Sequence, residues 1–280
     1  MKCISVLLLA GILFSGCNNN NVPDVQSYPF KTGSVWAYQA SISEYNFRPL
    51  VSGIAFRETT FYWSARVEVL GEVMLQDSVH TWELRSTENF NSSSSAGINY
   101  YTQRNDSLYL FAYSGGSSLP MPKQPLQVRY RLMNRSYGSV RELLSLSDEN
   151  FVRSSSTVSD SVIVETPSPK TLVFPLKEGL SWTYREHGHP FFIGKKITGT
   201  ESVTTPAGSF STYNLQWSWD MDENGVIDTN ITGTDNITDK GLVKRSIVIR
   251  NLALVTEVDP ETPVAYIDVK EEYSVTSVSQ

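Results

Sequence analysis

The densest run of metal-ligating oxygens in the chain is DMDENGVID, Asp220 to Asp228. Asp220, Asp222 and Asn224 stand at positions 1, 3 and 5 of a calcium-type loop, Gly225 supplies the turn, Val226 offers its carbonyl and Asp228 takes position 9. Calcium wants roughly six to eight oxygens at about 2.3–2.6 Å, and this spacing converges them on one point. Position 12 is Ile231, where an EF-hand needs a bidentate Glu, so any such site is weak. The flanks LQWSW and VIDTNI read as strands, which also fits an acidic β-hairpin turning at Asn224-Gly225. Beyond calcium, no cofactor is called for. In EHGHP, His187 and His189 could share a strand face as metal ligands, with a third from Glu186 or His80. The chain has three histidines in all, and the Gly-His-Pro setting suits surface side chains better. There is no G-x-S-x-G elbow for a nucleophile. Paired carboxylates of the glycosidase type are defined by a distance that sequence does not display.

These residues stand on a chain whose first segment settles where it works. MKCISVLLLAGILFSGC places Lys2 before an apolar run, Ile4 to Phe14, and then Ser15, Gly16 and Cys17. The run is far short of the ~20 residues a spanning helix needs and reads as a cleaved secretion signal over residues 1–16. The segment resembles a bacterial lipoprotein signal. That resemblance implies a diacylglycerol thioether on Cys17, cleavage before it, and an acyl chain of the palmitoyl type on the freed amine. Acyl chains bind a bilayer at about 0.8 kcal/mol per methylene, so two or more hold the protein on a membrane without crossing it. Asn18 rather than Asp resembles the sorting pattern for the outer membrane. Residues 17–27 are polar and aperiodic, a short tether.

Cys3 leaves with the signal and Cys17 is lipidated, so the folded part has no disulfide and depends on burying a core. Net charge is −6, or −7 once Lys2 is removed (22 basic against 29 acidic), which excludes nucleic acid and a basic membrane patch. The partner expected is the membrane, through the lipid; a protein or glycan partner stays unnamed.

Two stretches nearly repeat: YPFKTGSVWAY from Tyr28 and FPLKEGLSWTY from Phe174. Pro29 and Pro175, Lys31 and Lys177, Gly33 and Gly179, Trp36 and Trp182, and Tyr38 and Tyr184 coincide, although the chain has only six tryptophans. Proline fixes φ, glycine supplies a turn, and Trp and Tyr two apart point to one face of the strand that follows. This is a strand starter that seats an aromatic pair, with its lysines toward solvent. The phrase, with Pro206-Ala207-Gly208-Ser209-Phe210 and Gly241-Leu242-Val243-Lys244, resembles segments of uncharacterised envelope lipoproteins of Bacteroidota-like bacteria. The resemblance implies a β-rich envelope lipoprotein and no activity.

From Ser34 on, alternation rich in Tyr, Phe, Trp, Val and Thr dominates. It predicts strands over 60–73, 80–86, 98–104, 107–113, 194–205, 210–219, 242–250 and 263–278. Ser139 and Glu142 form an S-x-x-E capping box for one short peripheral helix. The fold expected is all-β: antiparallel meander sheets forming a curved sheet or partly open barrel. Two tandem related units, 28–168 and 169–280, are expected, either as separate domains or as halves of one larger sheet. Aromatic pairs such as Trp217 with Trp219 and Phe61 with Trp63 read as core before they read as ligand platforms. The expected role is non-enzymatic binding or structure in the cell envelope, with a hydrophobic or glycan ligand; a hydrolase of envelope glycans or lipids is the alternative.

Overall fold

A computed structural model describes residues 22–53, 56–115, 128–133, 135–144, 161–189 and 191–280. Cys17 and the signal lie outside the described residues. Long alternating segments become long strands. A first meander runs β1 (Val35–Pro49), β2 (Thr59–Leu75), β3 (Val79–Phe90), β4 (Ser93–Arg104) and β5 (Ser107–Gly115). Then come β6 (Val128–Leu132), β7 (Arg135–Tyr137), α1 (Val140–Leu144), β8 (Ile163–Val164) and β9 (Lys170–Val173). A second meander runs β10 (Ser181–Arg185), β11 (Phe192–Thr205), β12 (Gly208–Asp220), β13 (Ile231–Thr238), β14 (Gly241–Thr256) and β15 (Ala265–Ser279).

All fifteen strands join one antiparallel sheet in the order β10-β11-β12-β13-β14-β15-β1-β2-β3-β4-β5-β8, with β9 also on β5 and the β6–β7 hairpin extending from β14. The last strand of the second meander thus pairs with the first strand of the first, from Val35 opposite Ser279 to Pro49 opposite Ala265. The two meanders are halves of one sheet.

The sheet curls, because twisted strands cannot lie flat over this width. Its inner face carries every second residue: Trp36, Tyr38, Ala40 and Ile42 from β1, Trp63, Ala65, Val67 and Val69 from β2, Val269, Tyr273 and Val275 from β15. Trp217 and Trp219 stack at 5.7 Å between centroids inside the same cluster, so they are core, as is Trp63. The two ends of the sheet approach each other at β9 and β10 without a backbone ladder, so the sheet is not closed into a barrel.

The Ser139 cap forms, and its reciprocal bond from Glu142 goes to the amide one residue before the cap. The Glu142 amide donates to Ser139 Oγ at 3.1 Å, while the Glu142 carboxylate accepts from the Gly138 amide at 2.7 Å. The helix is one turn long, and Val140, Leu143 and Leu144 all lie in the shared core. No helix among the described residues is long and apolar enough to cross a membrane.

Candidate functional site

The two copies of the repeated phrase build the same local structure. Gly33 and Gly179 both adopt φ of +85°, a conformation that other residues enter at a cost. The Gly33 amide donates to the Val69 carbonyl, the Val69 amide to Ser34, and the Ser34 amide to Lys31. Gly179, Ile197, Leu180 and Lys177 repeat those three bonds in the second half. A register shift then follows at Val69/Gly71 in β2 and at Ile197/Gly199 in β11. Lys31 and Lys177 are exposed, Pro29 is half-buried and Pro175 exposed.

The aromatic pair differs between the copies. Trp36 is fully buried and donates through Nε1 to the Lys240 carbonyl at 2.6 Å; Tyr38 donates to the Leu242 carbonyl at 2.9 Å. Burial pushes the Tyr38 phenol far above its ordinary range, so it holds its proton as a donor. Gly241 sits against Tyr28 and Trp36: a Cβ there would lie 2.7 Å from the Tyr28 hydroxyl and 3.0 Å from Trp36 Nε1. The first phrase thereby clamps the start of β14, where Gly-Leu-Val-Lys begins. Tyr184 is buried, while Trp182 is half-buried and donates to the Lys170 carbonyl at 2.9 Å.

In the acidic loop, Asp220 is buried and accepts from the Asn224 amide at 3.1 Å and the Gly225 amide at 2.8 Å. Asp222 accepts from Asn224 Nδ2 at 2.8 Å, Asn224 Oδ1 from the Val226 amide at 2.7 Å, and Asp228 from the Met221 amide at 2.9 Å. These polar side chains are therefore already turn acceptors. Val226 is exposed. Burial, with Asp222 and Asp220 nearby, raises the Asp228 carboxyl above the ordinary carboxylate range. Among the described residues no three His, Cys, Asp or Glu side chains form a metal-binding group. His187 and His189 are exposed in the β10–β11 loop, where His187 stacks on Phe192, and His80 belongs to the start of β3, at the other end of the sheet.

Sequence reasoning missed a set of charged side chains on the inner face. Arg245 forks onto Asp235 with two contacts of 2.7 Å, and Trp217 Nε1 donates to the same carboxylate at 3.1 Å. The Lys195 ammonium lies 4.0 Å from the Trp217 ring and 4.3 Å from the Tyr184 ring, and donates to the Thr171 carbonyl at 3.1 Å. Glu88, fully buried, pairs with Arg141 of α1 and accepts from Trp63 Nε1 at 3.0 Å. The Tyr273 hydroxyl sits 3.3 Å from Glu88 and 3.4 Å from Glu271. Tyr130 donates to Glu44 at 2.5 Å. Beside Asp235 and Arg245 is a cavity of about 10 Å³, room for one water. A larger open concavity of about 700 Å³ lies at the opposite end of the sheet from the acidic loop, between the β11–β12 hairpin and the end of β15. Its lining includes Phe210, Ser209, Lys240, Thr276, Ser277 and Gln280.

No family model and no curated protein matches this chain. Two solved structures resemble it. A protein described as a lipoprotein of Parabacteroides distasonis aligns over 92% of this chain and 100% of its own, with a TM-score of 0.37 and 13% identity. A protein described as exported, with a YmcC-like fold, from Bacteroides fragilis aligns over 91% and 100%, with a TM-score of 0.32 and 10% identity. Overlap this loose carries no inference about residues or role.

Proposed function

We propose that this is a lipid-anchored protein of the cell envelope, held at the outer membrane through Cys17, whose curled sheet is a non-enzymatic binding module for a glycan. The observation that carries the reading is the contrast between interior and rim. The inward acids Glu88, Asp235 and Glu44 each have a donor and lie buried, which leaves the rim concavity as the larger space a ligand can reach. One aromatic ring, Phe210, beside hydroxyls, an amide and one ammonium is the lining a sugar ring uses: a face to stack on and donors and acceptors for its hydroxyls. The hydrolase alternative needs two facing carboxylates in an accessible cleft. Glu88 and Glu271, brought together by Tyr273, are both fully buried, so no observation favours it.

Two measurements test the reading. Cys17→Ser should move the protein from the membrane to the soluble fraction; a variant that still sediments with membranes overturns the anchor. The mature chain should bind envelope glycans without turning them over, and Phe210→Ala should weaken binding about tenfold with the fold intact, the ~1.4 kcal/mol scale of one aromatic contact. Release of cleaved product would establish the hydrolase instead.

A further inference from the structure

The free ends of the sheet meet along a seam with unusual fastening. β9 has its ladder with β5, Ser107 opposite Val173 and Leu108 opposite Leu172, and β10 has its ladder with β11. Between β9 and β10 there is none. The two strands follow one another in the chain and are joined by Phe174–Leu180, the second copy of the strand-starting phrase. Side chains close the gap. Trp182 Nε1 donates to the Lys170 carbonyl at 2.9 Å, Lys195 Nζ to the Thr171 carbonyl at 3.1 Å, and Arg185 reaches Glu165 at 3.5 Å. Thr171, only 2% exposed, has a buried hydroxyl without a hydrogen-bond partner and lines the water-sized cavity beside Asp235 and Arg245.

Parting a ladder strands buried amides and carbonyls on both strands, each of which needs a new partner. Parting this seam breaks three side-chain ties and no ladder, and uncovers Leu172 where it packs in the core. Lys195 has its ammonium buried against aromatic rings, and desolvation disfavours a buried cation, so opening returns hydration to it. Among the described strands the seam is therefore a line along which the sheet can part without stranding backbone amides and carbonyls.

We propose that β9 is a releasable strap: the sheet opens between β9 and β10, hinged at the exposed residues Lys177, Glu178 and Gly179, while β14, β15, β1 and β2 stay folded. Opening exposes the face formed by Lys195, Tyr184 and Trp217. The proposal does not depend on the glycan reading, since it concerns a different part of the sheet.

Amine labelling of the intact mature protein tests it, with the exposed neighbour Lys196 as internal reference. An amine-reactive ester should modify Lys195 under native conditions, slower than Lys196 and well before global unfolding. Hydrogen exchange should show the β9 and β10 amides keeping the protection of their ladders with β5 and β11 while Lys195 is labelled, because this opening breaks no backbone ladder. Trp182→Phe removes one tie and keeps the ring, and should accelerate Lys195 labelling about fivefold, the factor the net worth of one hydrogen bond implies. If Lys195 reacts only at the rate of global unfolding, or if Trp182→Phe raises exchange equally in every strand, the strap does not exist. Should the variant fail to fold, the wild-type labelling decides alone.

Discussion

At the scale of single residues, the repeated phrase separates into a strong and a weaker copy. Trp36→Ala empties a fully buried site and removes the bond to Lys240, so a loss of about 3–5 kcal/mol is expected in urea unfolding. Trp182→Ala, at a half-buried site, should cost about 1–3 kcal/mol; equal losses would contradict the asymmetry. The acidic loop makes a prediction about pH. Asp228 has its carboxyl raised by burial and by Asp222 and Asp220, so its ionised form disfavours the folded state. That penalty is absent below the ordinary carboxylate value and complete above the raised one, so it appears as pH rises between them. Asp228→Asn should stabilise the protein at neutral pH and flatten this part of the pH–Tm curve; a variant less stable at neutral pH refutes the sign. Calcium is the ion the loop would take. Melts in millimolar calcium against chelator, on wild type and Asp222→Ala, separate an ion site from a hydrogen-bonded turn: a shift in wild type alone establishes the ion, and four equal melts leave the turn. The phrase was legible because rare residues repeat at one spacing. The buried charges were not read, although each stands in phase with apolar neighbours: Glu88 with Leu84, Lys195 with Ile193 and Ile197, Glu271 with Val269 and Tyr273. A charge on the apolar phase was the available signal.

At the scale of elements, the long strands follow from alternation, while short pieces such as β6, β8 and β9 are fixed by what they touch rather than by their own pattern. β13 is placed too early by its sequence, at VIDTNI, and begins only at Ile231; its inward positions include Asp235, which is accommodated there because Arg245 of β14 forks onto it. The helix was legible from its cap alone, but its load was not. Arg141 carries the pair with Glu88 from α1 across to β3, both side chains nearly sealed from solvent. Arg141→Met strands the carboxylate and should cost about 3–5 kcal/mol, while adding Glu88→Gln should recover most of it, because a neutral pair avoids the uncompensated charge. If the double variant is as unstable as the single one, packing rather than charge explains the loss.

At the scale of the molecule, the sequence left open whether the related halves are two domains or one sheet. Pairing between strands at opposite ends of a chain leaves no local mark, and β15 against β1 is that kind of pairing. The halves are bound further by the first phrase, whose Trp36 and Tyr38 hold the carbonyls of Lys240 and Leu242, while the Leu176 amide ties the second half to Val25 in the segment before the first half. The main core is shared by the halves: Trp36, Trp63, Trp217 and Tyr273 belong to one cluster, and only a small cluster around Tyr100, Phe111 and Ala112 lies in the first half alone. A chain built this way should unfold in one step, with far-ultraviolet circular dichroism and tryptophan fluorescence superimposing across a urea titration. Residues 28–168 and 169–280 made separately should each expose the inner face of half a sheet and the ladder edge of β1 or β15, and should stay unfolded or aggregate. Mixed during refolding, they should recover the strand signal of the whole chain, because the β15–β1 pairing needs no covalent link. Two resolved transitions, or one half folding alone with sharp melting, would instead make the halves independent domains and reduce the β15–β1 pairing to a contact between them.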